Sequence, residues 1–378
     1  MKTIGVAGNF RCYYLLVLFL GLAIACANGQ GITRRSFTVE QGGTLRIVLG
    51  AGNVHVSTWS NNEVRVNSIE DEDGVDVSKN GNTIVVRSSG DVDIDVSIPS
   101  RFNVDLQCGS GDIRIDGPLS GRVRGRTSGG EVTLGKLHGD ISLSTSGGDI
   151  ACDNIGGTVA LQSAGGNLQL EDIDGDATLQ TDGGNIDVKN VRKSITASTS
   201  GGNVSVGTVG GNARLSTSGG DLEVGSVSGD CELESSGGNI LVHGCGGKVS
   251  ATTEGGDVTL DRVAGAFDGS TSAGNINVQM MSAGKAKRGT SRLTNDEGNI
   301  TLEIPADVSA TIVARIRFHD RWQNVEDGAS ITSDFPTATF HKDEASGEII
   351  ETFRLNDGTG KITLDASMGS ITIHKENH

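Results

Sequence analysis

The sequence is poor in aromatic residues and in proline. Phe, Trp and Tyr make up only 3% of the 378 residues, and there are 4 prolines. Aromatic side chains supply much of the buried area of an ordinary globular core, so their scarcity argues against such a core. The hydrophobic share of 35% and a regular periodicity argue equally against disorder. The composition therefore excludes both an aromatic-rich globular core and a disordered chain.

The sequence also lacks an excess of basic residues and the common catalytic motifs. Its formal net charge is −16, whereas a nucleic-acid-binding protein usually carries a basic patch. The 7 histidines are scattered, and no H-E-x-x-H, G-x-S-x-G or phosphate-loop motif occurs. The regular repeats have no long loops of the kind on which β-helix lyases and glycosidases carry paired carboxylates. We therefore expect no enzymatic activity, no cofactor and no nucleic-acid partner.

Only one long apolar run is present, near the N-terminus. It extends over 13 residues from Tyr13 to Ala25, which is shorter than the roughly 20 residues of a spanning helix. Residues 1–27 are therefore predicted to be a signal peptide. The segment Leu22–Cys26 resembles a bacterial lipobox, in which Cys26 is lipidated and becomes the mature N-terminus. The triplet Ala25–Ala27 also satisfies the rule for ordinary signal peptidase, so both kinds of processing remain open.

A strict repeat of 18 residues runs from Glu131 to Gly274. Each turn contains a Gly-Gly pair followed by Asn, Asp or Glu. When that third residue is numbered position zero, eight consecutive turns fit without an insertion or deletion. Positions +1 and +3 are apolar columns around a mostly polar position, which is the alternation of a β-strand. Further inward columns lie at +6, +10, +12 and +14. Position zero is occupied by Glu131, Asp149, Asn167, Asn185, Asn203, Asp221, Asn239 and Asp257.

Each turn is predicted to be a coil of strand, bend, strand and bend. The recurrent glycines at the bends either need a positive φ or bring two backbones close together. A single coil buries too few apolar side chains to offset its backbone ordering, so stability must come from stacking. The predicted fold is all-β: a single-stranded parallel β-helix, or β-solenoid, with 18 residues per coil and irregular β caps at both ends.

Two other solenoids with compatible periods do not fit the columns. Calcium-binding nonapeptide repeats need Gly and a ligand Asp where the turn beginning at Asn185 has Ile186 and Val188. Left-handed hexapeptide helices need an aliphatic residue where the repeat has Asn or Asp. We therefore expect the Asn/Asp column to be a ladder of stacked side chains that bind backbone groups, not a metal site.

The chain is divided into four segments: the signal peptide and three segments that differ in how closely they follow the 18-residue repeat. After the signal peptide, residues 28–110 are predicted to form an N-terminal β cap and the first coils. Residues 111–280 form the regular β-solenoid, which begins one residue out of register at Asp112. Residues 281–378 form looped C-terminal coils and a cap. Trp59 is expected in the core of the first cap, and the aromatic and charged cluster around Trp322 is expected to plug the other end.

Four cysteines lie in the body of the chain. Cys108, Cys152, Cys231 and Cys245 occupy different columns of the repeat, and each replaces an inward residue. Because cysteines in different columns do not stack, we expect four separate, small, buried hydrophobic side chains.

The segments DVDIDVSIP and GSGDIRIDG, the repeated TSGGDI and SGGNV units and the final GSITIHK resemble the bacterial putative-adhesin family, a Gly-rich β-strand-repeat domain. The resemblance extends over about residues 40–375. It implies a right-handed helix and a cell-envelope location, in the periplasm or on the cell surface, and it supplies no binding residues.

Two functions are compatible with these features. The first is an exported, non-enzymatic protein that binds or adheres through its outward faces, with a protein or glycan of the envelope or a neighbouring surface as its partner. Contact with a membrane is then expected only through a lipid at Cys26. The second is a periplasmic structural or envelope-stress scaffold that self-assembles end to end if a cap is weak.

Overall fold

The computed structural model describes residues 33–68, 74–282, 289–317, 329–343 and 347–376. All regular elements in these ranges are β-strands. No helix in these ranges could span a membrane, because none is long and apolar enough. The predicted signal peptide with Cys26 and the cluster around Trp322 lie outside the described residues.

The described residues form 37 strands, separated by tight bends in the central part. In chain order they are β1 (Thr33–Thr38), β2 (Thr44–Ala51), β3 (Val54–Trp59), β4 (Glu63–Ser68), β5 (Asp76–Asn80), β6 (Thr83–Asp91), β7 (Ile94–Pro99), β8 (Asn103–Cys108), β9 (Ile113–Ile115), β10 (Leu119–Ser120), β11 (Val123–Thr127), β12 (Val132–Leu134), β13 (Leu137–His138), β14 (Ile141–Thr145), β15 (Ile150–Ile155), β16 (Val159–Ser163), β17 (Leu168–Ile173), β18 (Ala177–Thr181), β19 (Ile186–Val191), β20 (Ile195–Ser198), β21 (Val204–Val209), β22 (Ala213–Thr217), β23 (Leu222–Val227), β24 (Cys231–Ser235), β25 (Ile240–Val242), β26 (Val249–Thr252), β27 (Val258–Val263), β28 (Phe267–Thr271), β29 (Ile276–Met280), β30 (Thr290–Asn295), β31 (Ile300–Ile304), β32 (Ala310–Arg317), β33 (Ile331–Ser333), β34 (Thr337–Asp343), β35 (Glu348–Leu355), β36 (Gly360–Ala366) and β37 (Ile371–Lys375).

The strands stack into two long sheets that run along the molecule. Sheet A has the order β1, β4, β7, β3, β9, β12, β15, β17, β19, β21, β23, β25, β27, β29, β31, β37 and β33, with the short β10 and β13 beside β12 and β15. Sheet B has the order β5, β6, β2, β8, β11, β14, β16, β18, β20, β22, β24, β26, β28, β30, β36, β32, β35 and β34.

Pairing within the central sheets is parallel and follows the repeat. Ile150 pairs with Leu168, which pairs with Ile186 in the next coil. At the start of the repeat Ile113 pairs with Val132, in agreement with the predicted one-residue offset. The prediction of an all-β solenoid of stacked parallel strands is confirmed.

The interior is filled by the inward columns of both sheets. These aliphatic side chains are almost fully buried from Leu45 to Ile373, and the aromatic residues Phe102, Phe267 and Phe353 are buried among them. The column at +14 is polar but satisfied. Thr217, for example, donates from Oγ1 to the Gly202 carbonyl oxygen at 2.8 Å and accepts the Gly220 N–H at 3.2 Å. The core is therefore a long, narrow stack of small side chains, as the composition predicts.

The Asn/Asp column at the first bend forms a ladder. From Asn167 to Asn275 the backbone N–H of each residue donates to the side-chain Oδ1 of the residue one coil earlier, as in Asn203 to Asn185 and Asp221 to Asn203, both at 2.8 Å. The predicted role of this column is confirmed. A second ladder at position +9 was not predicted: the Asp230 N–H donates to Asn212 Oδ1 at 2.9 Å, and the Lys248 N–H donates to Asp230 Oδ1 at 2.7 Å.

Antiparallel strands cover both ends of the solenoid. At the N-terminal end β1 and β7 flank β4, and β5 lies antiparallel on β6. At the C-terminal end β35 lies antiparallel between β32 and β34. The expected position of Trp59 is wrong: the ring is half-buried, donates Nε1–H to the Glu63 carbonyl oxygen at 2.8 Å, and carries the Arg65 guanidinium 4.5 Å from its centroid.

Candidate binding groove

The outer face of sheet B carries two rows of side chains that run along the solenoid. The first row, at position +11, comprises Arg46, Asp105, Arg124, Ser142, Ala160 and Thr178 on successive strands from β2 to β18. The second row, at position +13, comprises Gln107, Arg126, Ser144, Gln162 and Gln180 from β8 to β18. Neighbouring members of a row are one strand apart, or about 4.8 Å.

A groove of about 800 Å³ lies along these rows. Its other lining residues are Ile47, Leu106, Gly125, Leu143 and Leu161. The four aliphatic side chains among them are buried in the interior, so these residues present mainly backbone to the groove. From β2 to β18 the groove crosses five strand spacings, or roughly 24 Å. Its dimensions suit an extended chain better than a compact small molecule.

Gly125 lies in the middle of the groove floor, in a column that is otherwise aliphatic. A Cβ atom at this position would be 2.8 Å from Leu143 Cδ2 and 3.3 Å from Leu106 Cβ. The missing side chain therefore lets the leucines of the two adjacent coils fill the interior beneath β11. The same strand carries Arg124 and Arg126, one on each side of the glycine.

Three arginines at one end give the groove a positive charge. Arg46, Arg124 and Arg126 are exposed, and within the described ranges none of them is in an ion pair with a carboxylate. Arg214, on the same face further along, is paired with Glu232 instead. Arg126 has only a long contact from Nε to Ser144 Oγ, at 3.4 Å. Asp105 is the one acidic lining residue, so the groove is basic on a protein whose net charge is −16.

The other end of the groove is neutral and rich in hydrogen-bonding groups. Gln162 and Gln180 are joined by an Nε2-to-Oε1 contact of 3.5 Å, and the hydroxyls of Ser142, Ser144 and Thr178 line the same surface. Amides and hydroxyls can donate and accept at once, and they repeat at the strand spacing. That spacing is similar to the rise of one sugar unit in an extended glycan chain.

A second charged cluster lies on the outer face of sheet A. His55 Nδ1 is 3.0 Å from Asp95 Oδ1, and its Nε2 is 2.9 Å from Asp116 Oδ2. Arg114 also binds Asp116, with an Nε-to-Oδ2 distance of 3.0 Å. Burial of the ring opposes protonation, but the hydrogen bonds to the two carboxylates outweigh it and raise the pKa of His55 above 6.5. No group of three or more metal-binding side chains is found among the described residues.

The four cysteines of the body are buried and free. Burial raises the pKa of Cys108 to about 11 and that of Cys152 to about 12, so both thiols are inert, as predicted for small hydrophobic side chains. Cys231 and Cys245 are buried and free as well, but their side chains lie close enough for each to shift the pKa of the other. They lie in different columns, on opposite sides of one bend. A comparison within columns therefore does not show that they are close.

Sequence reasoning missed the groove, although part of its signal was present. Strand alternation places Arg124 and Arg126 on the outside, and Gly125 interrupts an aliphatic column. The missing information was the charge of neighbouring coils. Only the paired register shows that Arg46 lies in one row with Arg124 across β8 and that a single carboxylate, Asp105, lies between them.

The chain was compared with known families, curated proteins and solved structures. The family model described as Toastrack DUF4097 matches residues 120–313. No curated protein matches. A solved structure of "a putative adhesin" from Bacteroides fragilis NCTC 9343 is 16% identical, covers 59% of this chain and 98% of its own, and has a TM-score of 0.31. A "putative cell adhesion protein" from Clostridium sporogenes ATCC 15579 is 8% identical, covers 92% of this chain and 100% of its own, and has a TM-score of 0.18.

The family match covers the regular repeat and extends into the C-terminal coils as far as Val313. It agrees with the family resemblance inferred from the Gly-Gly-Asp/Asn motifs. The chain belongs to the Toastrack DUF4097 family.

Proposed function

We propose that this protein is an exported, non-enzymatic envelope protein whose sheet B groove binds an extended acidic glycan. The observation that carries the proposal is the set of three exposed arginines, Arg46, Arg124 and Arg126, with only one lining carboxylate, Asp105, in a groove that continues as amides and hydroxyls. Guanidinium groups recognise carboxylates by paired charge-assisted hydrogen bonds, and the neutral rows supply partners for sugar hydroxyls. The adhesin descriptions of the two solved structures are consistent with this role.

Binding to polygalacturonate and to its methyl ester tests the proposal, since the two polymers differ in charge and share a backbone. We expect the acid form to bind more tightly and its affinity to fall as salt is added, because screening weakens exposed charge pairs. Replacing Arg46, Arg124 and Arg126 together by Ser should reduce the affinity at least about tenfold.

The matched control is Arg292→Ser, which removes an exposed arginine from β30 on the same sheet but outside the groove. It should leave the affinity unchanged. Equal binding of the ester, or equal losses in the control and the triple variant, would refute the groove as the binding site. Absence of binding to a panel of acidic glycans, with the fold intact, would refute the glycan class.

Export is the second part of the proposal, and it is supported by the signal peptide predicted for residues 1–27. Mass spectrometry of the mature N-terminus distinguishes a lipidated Cys26 from a chain that begins at an unmodified Asn28. Protease treatment of intact cells, with an epitope inserted between Lys285 and Thr290 and a periplasmic control protein, distinguishes the cell surface from the periplasm. A protein found uncleaved in the cytoplasm would contradict export.

A further inference from the structure

Cys231 and Cys245 meet inside the solenoid at one bend. The bend connects β23 to β24, and Cys231 is the first residue of β24. Cys245 lies in the following coil and pairs with Val227 at the end of β23 through an isolated parallel bridge. The two cysteines are therefore diagonal neighbours, one coil apart and on opposite sides of the same bend. Both are nearly fully buried, with exposures of 2% and 3%.

The backbone around Cys231 surrounds the Cys245 thiol. Cys245 Sγ lies 3.2 Å from the Gly229 carbonyl oxygen and 3.8 Å from that of Lys248. The Lys248 carbonyl in turn accepts the Cys231 N–H at 2.8 Å. Gly229, which is two residues before Cys231, and Lys248, which accepts the Cys231 N–H, thus hold the Cys245 sulfur beside Cys231.

The contact also makes the two sulfurs chemically different. The hydrogen bond from Cys231 lowers the pKa of Cys245, and backbone N–H groups of Gly247 and Cys231 act in the same direction. The same thiol–thiol contact, together with burial, raises the pKa of Cys231. A pair in which one thiol ionises more easily than the other is suited to thiol–disulfide exchange, since the thiolate is the attacking species.

We propose that Cys231 and Cys245 form a disulfide that fastens two successive coils together when the chain folds in an oxidising compartment. The oxidant is another disulfide, such as oxidised glutathione or a disulfide oxidoreductase. The Cys245 thiolate attacks it, forms a mixed disulfide and releases one thiol. Cys231 then loses its proton and attacks Cys245 Sγ, which expels the second thiol. Two protein thiols are oxidised and one external disulfide is reduced to two thiols.

Exchange takes place during folding, when this bend has brought the two sulfurs together but the neighbouring coils have not yet closed over them. The link closes a loop shorter than one 18-residue coil, and it joins two coils that are direct neighbours in the stack. With the disulfide in place, these two coils cannot separate from each other at this bend. Cys108 and Cys152 lie in other coils and do not take part.

The test is to unfold and reduce the full chain, refold it in a mixture of reduced and oxidised glutathione, and alkylate the remaining thiols. Cleavage after Glu232 and Glu234 separates the two cysteines, so the disulfide appears as two fragments that stay linked until reduction. We expect this linkage in the wild type and equally in the Cys108→Ser/Cys152→Ser control. The unfolding temperature should fall by a few degrees on reduction of the wild type and should not change in Cys245→Ser.

Full alkylation of Cys231 and Cys245 after refolding to the native state would overturn the proposal. So would linkages that join either residue mainly to Cys108 or Cys152. The mass measurement on the wild type decides the matter even if a variant does not fold. It is independent of glycan binding, so failure of the groove proposal leaves it unaffected.

Discussion

At the scale of single residues, the solenoid is held by side chains that satisfy the backbone of a neighbouring coil. The buried hydroxyls at position +14 are the clearest case, since from Ser163 to Thr271 each donates to a glycine carbonyl of the previous coil and accepts an N–H three residues later. Thr181, Thr199, Thr217 and Thr253 repeat both contacts. A buried polar group that loses its partner costs about 1–3 kcal/mol, so a hydroxyl in this row has structural consequences.

Thr217→Val therefore tests the hydroxyl row with almost no change of shape. The variant leaves the Gly202 carbonyl and the Gly220 N–H without their side-chain partner, and we expect the free energy of unfolding to fall by roughly 1–3 kcal/mol. Denaturant unfolding monitored by circular dichroism measures the loss. Thr196→Val, at an exposed position of β20, is the control and should change stability by no more than about 0.5 kcal/mol. Equal effects of the two variants would contradict the role of the row.

His55 gives a second prediction at this scale, because two carboxylates hold its ring. Its folded pKa is raised above the usual value of 6.5, so its protonated form contributes stability that is fully present below pH 6.5 and is lost as the pH rises through the folded pKa. An NMR titration of the histidine ring protons, with the resonance assigned by His55→Gln, should give a pKa above 6.5. Asp116→Asn should lower that value, and a wild-type pKa at or below 6.5 would contradict the proposed pairing.

At the scale of one coil, the glycine before the Asn/Asp ladder sets how closely successive bends stack. The sequence left two reasons open for the bend glycines, a positive φ or a close approach. At Gly220 the reason is close approach: a Cβ atom there would be 2.2 Å from the Gly202 carbonyl oxygen. Its neighbour Gly219 has ordinary contacts, the nearest at 3.6 Å. Positive φ occurs instead towards the ends of the repeat, for example at Gly130 and Gly298.

The two adjacent glycines provide a matched pair of substitutions. Gly220→Ala forces the bend away from the coil below and breaks the ladder contact at Asp221, so we expect a loss of stability of about 1–3 kcal/mol. Gly219→Ala meets no close atom and has no positive φ, so its effect should stay within about 0.5 kcal/mol. Thermal unfolding of both variants measures the difference. A well-tolerated Gly220→Ala would show that the coils can separate at this bend at little cost.

The regular coils were predictable because each one repeats the same physical requirements. The apolar columns that contain Ile186 and Val188 indicate the inward side of the strands, and the constant spacing of 18 residues indicates the register of strand pairing. The groove and the cysteine pair were not predictable in the same way. The strand β6 follows β2 in the chain but lies on its far side, so Arg46 on β2 is only two strands from Arg124 on β11. Cys231 and Cys245 meet across a bend, where a column alignment does not show distances.

At the scale of the whole molecule, a solenoid is a stack with two ends, and each end offers unpaired strand edges unless it is covered. In this chain the two sheets continue past the parallel coils, so that β1 and β5 are the outermost described strands at one end and β33 and β34 at the other. At the C-terminal end, β36 and β37 lie on β30 and β31, and β35 and β34 continue the outer side of sheet B. The scaffold function requires an end that accepts another copy, and charged side chains such as Lys342 on the terminal strand β34 oppose such pairing, which favours a separate molecule over a filament.

Removal of residues 283–378 tests what the C-terminal cover contributes. The truncation exposes the edges of β28 and β29, which pair with β30 and β31 in the intact chain. Exposed strand edges pair with other chains, so the truncated protein should form concentration-dependent oligomers in analytical ultracentrifugation while the intact protein stays monomeric. Lysines at the outward positions Ser270 and Asn277 of the truncated chain should reduce this association, since edge lysines oppose pairing. A truncated chain that is folded and monomeric would show that the cover is not needed, and filaments of the intact chain would favour the scaffold.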